Sequence, residues 1–187
     1  MTNIAFIRHG ETDSNREKLF AGKLDVELNA NGIWQVVETA EKLKDYKFDA
    51  VYCGRAKRVR QTYEILSRRI EFGGAVFSDS IREIDFGSWE GLSQTEIETR
   101  SPADWNAYME TWTDFRFPDG DSVRDYFRHC GLFIRELAAA NPEKTVAVIG
   151  HKGFILSCAC ALRGQGIEHM FDAEIGNGSF FFMNGII

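Results

Sequence analysis

The sequence predicts an α/β fold, a three-layer sandwich in which a mostly parallel central sheet is flanked by helices. Three observations predict it. Short apolar runs of strand length alternate with longer stretches of helical spacing, the pattern of a sheet whose crossovers are helices. The clearest runs, Ile4-Ala5-Phe6-Ile7 and Thr145-Val146-Ala147-Val148-Ile149, are continuous, as expected of strands buried on both faces. Arg, His and Gly residues cluster directly after the runs, where ligands sit in open α/β sheets.

Ile4–Ile7 is the first strand. A helix follows over Leu28–Leu43, with Ile33, Val36, Val37, Ala40 and Leu43 on its inner side and Asn29 or Asn31 as its start. Asp49–Cys53 is the second strand, and a helix over Arg58–Ile70 ends before Gly73-Gly74. Ala75–Phe77 and Ile81–Phe86 read as short extended pieces. Ser93–Trp112 is polar and aromatic, and partly helical. Pro118-Asp119-Gly120 is a turn, after which Asp121 or Ser122 opens a helix that runs to about Ala140 and is closed by Asn141-Pro142. Thr145–Ile149, a helix over Phe154–Leu162 and a last strand at Ser179–Met183 complete the order. No linker, repeat or low-complexity run divides the chain, so residues 1–187 are expected to form one domain.

A chain of 187 residues buries about 70% of its unfolded surface on folding, enough for a core without staples. Hydrophobic residues at 44% and charged residues at 27% exclude intrinsic disorder and rod-like folds. A net charge of −6 argues against a nucleic-acid partner. The longest apolar stretch, Val146–Leu162, is broken by His151 and Lys152 and falls short of the roughly 20 residues a membrane span needs. The N-terminus runs directly into a strand without a basic region and long apolar leader. The chain is therefore expected in the cytoplasm, with no membrane partner. Cys53, Cys130, Cys158 and Cys160 have no zinc spacing and read as reduced, partly buried thiols.

The chemistry gathers on one predicted sheet edge. The first strand ends in Arg8-His9-Gly10-Glu11-Thr12. A histidine fixed at a strand end beside an arginine is held neutral and nucleophilic, since nearby cations disfavour the imidazolium. Gly10 permits a sharp turn and close approach of a ligand. Arg58, at a helix start, offers a planar guanidinium fork matched to phosphate oxygens. His151 follows the Thr145–Ile149 strand and can donate to a phosphoryl oxygen from the side opposite Arg8. A phosphomonoester also needs a general acid for its leaving oxygen. Glu83 and Asp85 share one face of an extended segment, and composition does not choose between them.

Together these elements resemble the histidine phosphatase superfamily, with the fold of cofactor-dependent phosphoglycerate mutase, over nearly the whole chain. The family's Arg-His-Gly-Glu-Thr signature matches Arg8 to Thr12, followed at its spacing by Asn15, and Gly22 matches the glycine of the next loop. Its Arg-Ala-x-Gln-Thr element is Arg58-Val59-Arg60-Gln61-Thr62. The Glu-x-x-x-Gly-x-x-Glu-Gly element is Glu83 to Gly91, and the late His-x-Gly element is His151 to Gly153. The resemblance implies that His9 takes the phosphoryl group, that Arg8, Asn15, Arg58 and His151 hold its oxygens, and that Gly22 belongs to the substrate-binding loop. It selects Glu83 as the acid, leaves Asp85 and Glu90 either structural or in support of the residues that touch substrate, and implies neither metal nor other cofactor. Cys53-Gly54, Val59, Gly150 and Lys152 depart from the commonest family pattern without removing a catalytic role. Lys152 is expected either to face solvent or to add a positive charge near the pocket mouth.

The layout is similar to the small-phosphatase branch that includes the α-ribazole phosphatases, which implies a small phosphorylated metabolite as substrate, α-ribazole 5′-phosphate among them. The segment 93–117, with Trp105, Tyr108, Trp112, Phe115 and Phe117, is the expected substrate cap, its aromatics read first as the cap's own core and second as a surface that stacks on a base or ring of the substrate. Two other readings are a phosphoglycerate mutase, for which the chain leaves little room for the needed insertion, and a silent binder of phospho-ligands. His9 and Glu83 are both present, which argues against the silent binder.

Overall fold

Five strands, β1 (Thr2–Arg8), β2 (Ala50–Gly54), β3 (Ala75–Ser78), β4 (Thr145–Gly150) and β5 (Phe180–Ile186), form one sheet in the order β3-β2-β4-β1-β5. The first four run parallel, and β5 lies antiparallel to β1 at the edge. The computed structural model describes residues 1–186. Its helices are α1 (Asp13–Arg16), α2 (Ala30–Leu43), α3 (Lys57–Leu66), α4 (Gln94–Arg100), α5 (Pro102–Thr111), α6 (Val123–Ala140) and α7 (Lys152–Leu162).

Strand side chains alternate between faces, and both faces of β1 and β4 are apolar. Ile4, Phe6, Val146 and Val148 enter a core with Cys130 and Ile134 of α6 and Ile155 and Cys158 of α7. Ala5, Ile7, Ala147 and Ile149 enter a second core with Val36, Ala40 and Leu43 of α2 and Val59 and Leu66 of α3. This two-sided burial is why the runs carry no polar alternation, and it makes the three layers the sequence predicts.

The details differ in three places. α2 starts at Ala30, with Asn29 as its cap, accepting from the Gly32 N–H at 2.8 Å. Ile33, expected inside, is 47% exposed, while Gly32 and Thr39 are buried. The cause is local: Gly32 presses on the backbone of Glu11, where a Cβ would collide, and this contact sets the rotation of the helix start. Ile81–Phe86 is not a strand. Its backbone bonds go to side chains and turns instead of a neighbouring strand, among them Asp85 N to Asp121 Oδ2 and Asp121 N to Asp85 O, both at 2.9 Å. Asp121 also pairs with Arg82, which leaves Ser122 to cap α6.

Segment 93–117 folds as α4 and α5 with a return loop. Ser93 and Glu96 form a reciprocal capping box at the start of α4, and Pro102 stands at the first turn of α5. Trp89 is buried among Trp105, Tyr108, Phe115 and Phe117, with ring centroids 5.3–5.8 Å away. Most of the segment's aromatics thus form its own core. Trp112 instead leaves that cluster and meets Phe171 at 5.1 Å.

Candidate active site

The strand order opens a crevice between β1 and β4. From β1 the chain leaves through α2, on one face, toward β2. From β4 it leaves through α7, on the other face, toward β5. Such a switch point leaves the carboxyl ends of the two strands uncovered. The parallel register pairs Arg8 with Gly150, and the His9 N–H donates to Gly150 O at 3.0 Å. His9 and His151 therefore come side by side, with ring centroids 5.3 Å apart.

Each ring is held in one tautomer. His9 Nδ1 lies 2.7 Å from the Gly10 carbonyl, which only accepts, so Nδ1 carries the proton and Nε2 presents a lone pair. His151 Nδ1 accepts from Arg58 Nε at 3.3 Å, so its Nε2 carries the hydrogen. Both histidines are buried and held well below the usual imidazole range, first by burial and then by the neighbouring guanidiniums, Arg58 foremost. They are neutral at pH 7. A nucleophile and a donor thus stand next to each other without charge.

The cations around them are fixed by backbone carbonyls. Arg58 donates through Nη1 to Leu24 O at 2.6 Å and through Nη2 to Gly22 O at 2.8 Å. Arg8 donates through Nη1 to Ile175 O at 2.8 Å. Burial pulls both guanidiniums down from their ordinary value, partly offset by the attraction of Glu83. Arg8 Nε and His151 Nε2 are buried donors without a hydrogen-bond partner among the described residues. Buried donors of this kind are normally paired. Asn15 Oδ1 is occupied by Thr12 and Asn177, which turns its amide hydrogens outward. Arg8, Asn15 and Glu83 line one groove, and Gly22, Glu83 and His151 line the adjoining one, while His9 and Arg58 lie against His151.

The motif glycines have steric reasons. A Cβ on Gly10 would strike the Gly32 carbonyl, one on Gly22 the Ile84 carbonyl, and one on Gly153 the Glu83 carboxyl. The last of these brings the Gly153 N–H to Glu83 Oε2 at 3.1 Å. Glu83 Oε1 receives Ile84 N and the Tyr126 hydroxyl, each at 3.0 Å. Asp85 is turned away: burial raises it, but Lys23 at 2.5 Å and the Gly87 N–H outweigh that and hold it below the usual carboxylate range. The structure thus separates the two carboxylates that composition left level. In the element after Arg58, Gln61 accepts from Leu28 N at 2.8 Å and Thr62 from Gly10 N at 3.3 Å, tying two site loops to α3.

Three residues at the site were not legible as such. Glu90, read as structural, accepts from the backbone N–H of Gly22, Lys23, Leu24 and Phe86, and so organises the loop whose carbonyls hold Arg58. Tyr126 looks like one more apolar position of α6, yet its hydroxyl reaches Glu83. Asn177 ties Asn15 Oδ1 to His9 O from a loop without any motif. Lys152 is half-buried rather than solvated, lying 3.6 Å from Glu174. No group of three or more His, Cys, Asp or Glu able to hold a metal ion occurs among the described residues. The four cysteines are free and buried, and burial pushes the Cys53 thiol up to about 12. No described helix is long and apolar enough to cross a membrane.

The family model of the histidine phosphatase superfamily, branch 1, matches residues 4–184. An uncharacterised phosphatase, PhoE, of Bacillus subtilis is 30% identical over 164 residues, 88% of this chain and 79% of its own. Phosphoserine phosphatase 1 of Hydrogenobacter thermophilus is 26% identical over 182 residues, 96% of this chain and 85% of its own. The α-ribazole phosphatase of Shigella flexneri superposes with a TM-score of 0.88 at 22% identity, over 96% of this chain and 89% of its own.

Proposed function

The chain belongs to branch 1 of the histidine phosphatase superfamily and is a phosphatase, and we propose that it is a metal-independent phosphomonoesterase working through a phosphohistidine on His9. The observation that carries this is the fixed tautomer of His9, whose Nε2 lone pair faces a crevice bounded by Arg8, Arg58 and the Nε2–H of His151.

In the first step His9 Nε2 attacks phosphorus and the P–O ester bond breaks. Glu83 delivers a proton to the departing oxygen, and a neutral alcohol leaves. Arg8, Asn15, Arg58 and His151 hold the three remaining oxygens and stabilise their charge, the dominant contribution in phosphoryl transfer. In the second step the Glu83 carboxylate takes a proton from water. The oxygen attacks phosphorus, the P–N bond breaks, and neutral His9 and inorganic phosphate return. Gly22 serves by its carbonyl, which orients Arg58. The whole chain acts as one catalytic unit, with 93–117 as the cap over the site. The substrate is a small phosphorylated metabolite, and α-ribazole 5′-phosphate is the first ester to try.

The test is phosphate release, without added metal, from α-ribazole 5′-phosphate, phosphoserine, phosphoglycerates and sugar phosphates, beside His9→Ala. Release from the native protein and none above background from the variant is expected. Appreciable turnover by His9→Ala would reject the covalent route. Isomerisation of phosphoglycerate without phosphate release would make the protein a mutase.

A further inference from the structure

A cavity of about 190 Å³ opens beside Glu83 and belongs to neither the nucleophile nor the oxygen-binding groups. Phe20, Phe86, Tyr108, Trp112, Phe117 and Phe171 are among its lining residues. Its size is informative, because a cavity of about 150 Å³ suffices to hold one benzene ring. Phe20, Phe86, Glu83 and Lys152 also line the groove that contains Arg8 and Asn15, so cavity and phosphate groove are continuous across Glu83. An acid that protonates the leaving oxygen must touch that oxygen. The group carried by the oxygen then has the aromatic cavity directly behind it.

Tyr126 and Lys152, two polar members of this wall, already have partners. The Tyr126 hydroxyl lies against Arg82 O and Glu83 Oε1, and Lys152 lies beside Glu174. A carboxylate entering here would meet Glu83 and the electron-rich faces of the rings, and would lose its water. An uncharged flat group would replace poorly solvated apolar surface with contact. We propose, resting on the phosphatase reading above, that this cavity is a leaving-group subsite that selects phosphomonoesters whose alcohol carries an uncharged, ring-sized apolar group. Esters of small carboxylated or polyhydroxylated alcohols are poor substrates.

The subsite is built from two parts of the chain. Trp112, at the end of α5, and Phe171, in the loop after α7, both line it and meet as tilted rings with centroids 5.1 Å apart. Phe171 is half exposed, so removing it trims the wall without emptying the core. The Trp112–Phe171 contact is the only aromatic pair joining these two parts among the described residues.

The experiment compares kcat/KM for benzyl phosphate and 2-naphthylmethyl phosphate with that for glycerol 3-phosphate and phosphoserine, all alkyl esters. The ring-bearing esters should be favoured by roughly ten- to a hundredfold, the scale expected from burying one ring. In Phe171→Ala and, separately, Trp112→Ala, the ratio of ring-bearing to polar esters should fall severalfold, whatever the absolute rates. Phosphate release with a ratio near one, or a preference for phosphoserine, would overturn the subsite and leave the phosphatase intact. A native ratio unaltered in both variants would also overturn it. Release from none of the four esters would instead remove the phosphatase reading on which it rests.

Discussion

Tyr126 has one hydrogen to give and two acceptors in reach, Arg82 O at 2.9 Å and Glu83 Oε1 at 3.0 Å. The phenol itself stays neutral, since burial, and then Glu83, hold it well above its ordinary value. A carbonyl only accepts. If the hydroxyl donates to Arg82 O, the contact to Glu83 is a hydrogen bond only when Glu83 brings a proton on Oε1. If it donates to Glu83, two oxygen lone pairs face each other at Arg82. In either arrangement the hydroxyl holds the Glu83 carboxyl against α6 at the edge of the crevice. Once the Glu83 proton has gone to the leaving oxygen, the hydroxyl can turn to the carboxylate. Glu83→Gln is expected to slow alkyl esters by about 10²–10⁴, the usual range for a general acid, and activated aryl esters far less. Tyr126→Phe keeps the packing and removes one hydrogen bond, a loss of about tenfold on alkyl esters. Steady-state kinetics on the two ester types decide this. Equal losses on both would make Tyr126 a packing residue only.

At the scale of elements, the His9 loop is held by what surrounds it. Asn29 accepts from Gly32 N, donates to Glu11 Oε1 at 3.0 Å and donates through its own N–H to Glu11 O at 2.9 Å, so the start of α2 is pinned to the turn after His9. Asn29→Ala should lower stability by about 1 kcal/mol, the usual cost of a lost cap. Urea denaturation measures it, and Asn29→Ser should recover most of the loss. An unchanged midpoint in Asn29→Ala would show that the cap is not what holds this turn. The strands were readable because both faces of the sheet are buried, so Ile4–Ile7 and Thr145–Ile149 announce themselves. Gly10 was readable as a close approach, though its neighbour is the Gly32 backbone, whereas Gly22 and Gly153 were readable only as motif positions. The pairing of His9 with His151 was not readable without a known relative, because it depends on the register of two strands from opposite ends of the chain. Ile33 was misplaced for a related reason: helical spacing has no knowledge that Gly32 must face Glu11. Ile81–Phe86 has strand-like composition, but its hydrogen bonds go to side chains and turns, among them Asp121, which lies beyond the cap. Composition left Glu83 and Asp85 level and only the family resemblance chose between them; the contacts that tell them apart come from Gly153, Tyr126 and Lys23, none of which is near them in sequence.

At the scale of the molecule, the site sets how stability depends on pH. His9 and His151 are neutral in the folded protein because burial and two guanidiniums hold them well below the usual range. In the unfolded chain they titrate near their ordinary value of about 6.5. Below that pH the unfolded state binds protons that the folded state does not, so folding weakens as pH falls. The slope reaches about 1.4 kcal/mol per pH unit for each histidine, and continues until the folded imidazoles themselves titrate. His169 acts in the opposite sense, raised first by its hydrogen bond to Asp172, so its stabilisation is present on the acid side and lost as pH rises. That pair is exposed and screened, and the buried pair should dominate. Carboxylates held low, such as Asp85, lose their contribution only as pH falls further, below the range where the histidines act. Thermal unfolding from pH 7.5 to 5.5 should therefore show a falling Tm, and His9→Asn/His151→Asn should flatten it. Inorganic phosphate should raise the native Tm across this range and affect the double variant much less, because a ligand that binds only the folded site stabilises it by mass action. Equal pH slopes in the two proteins would mean that the neutral, cation-flanked imidazoles are not what makes this fold acid-sensitive.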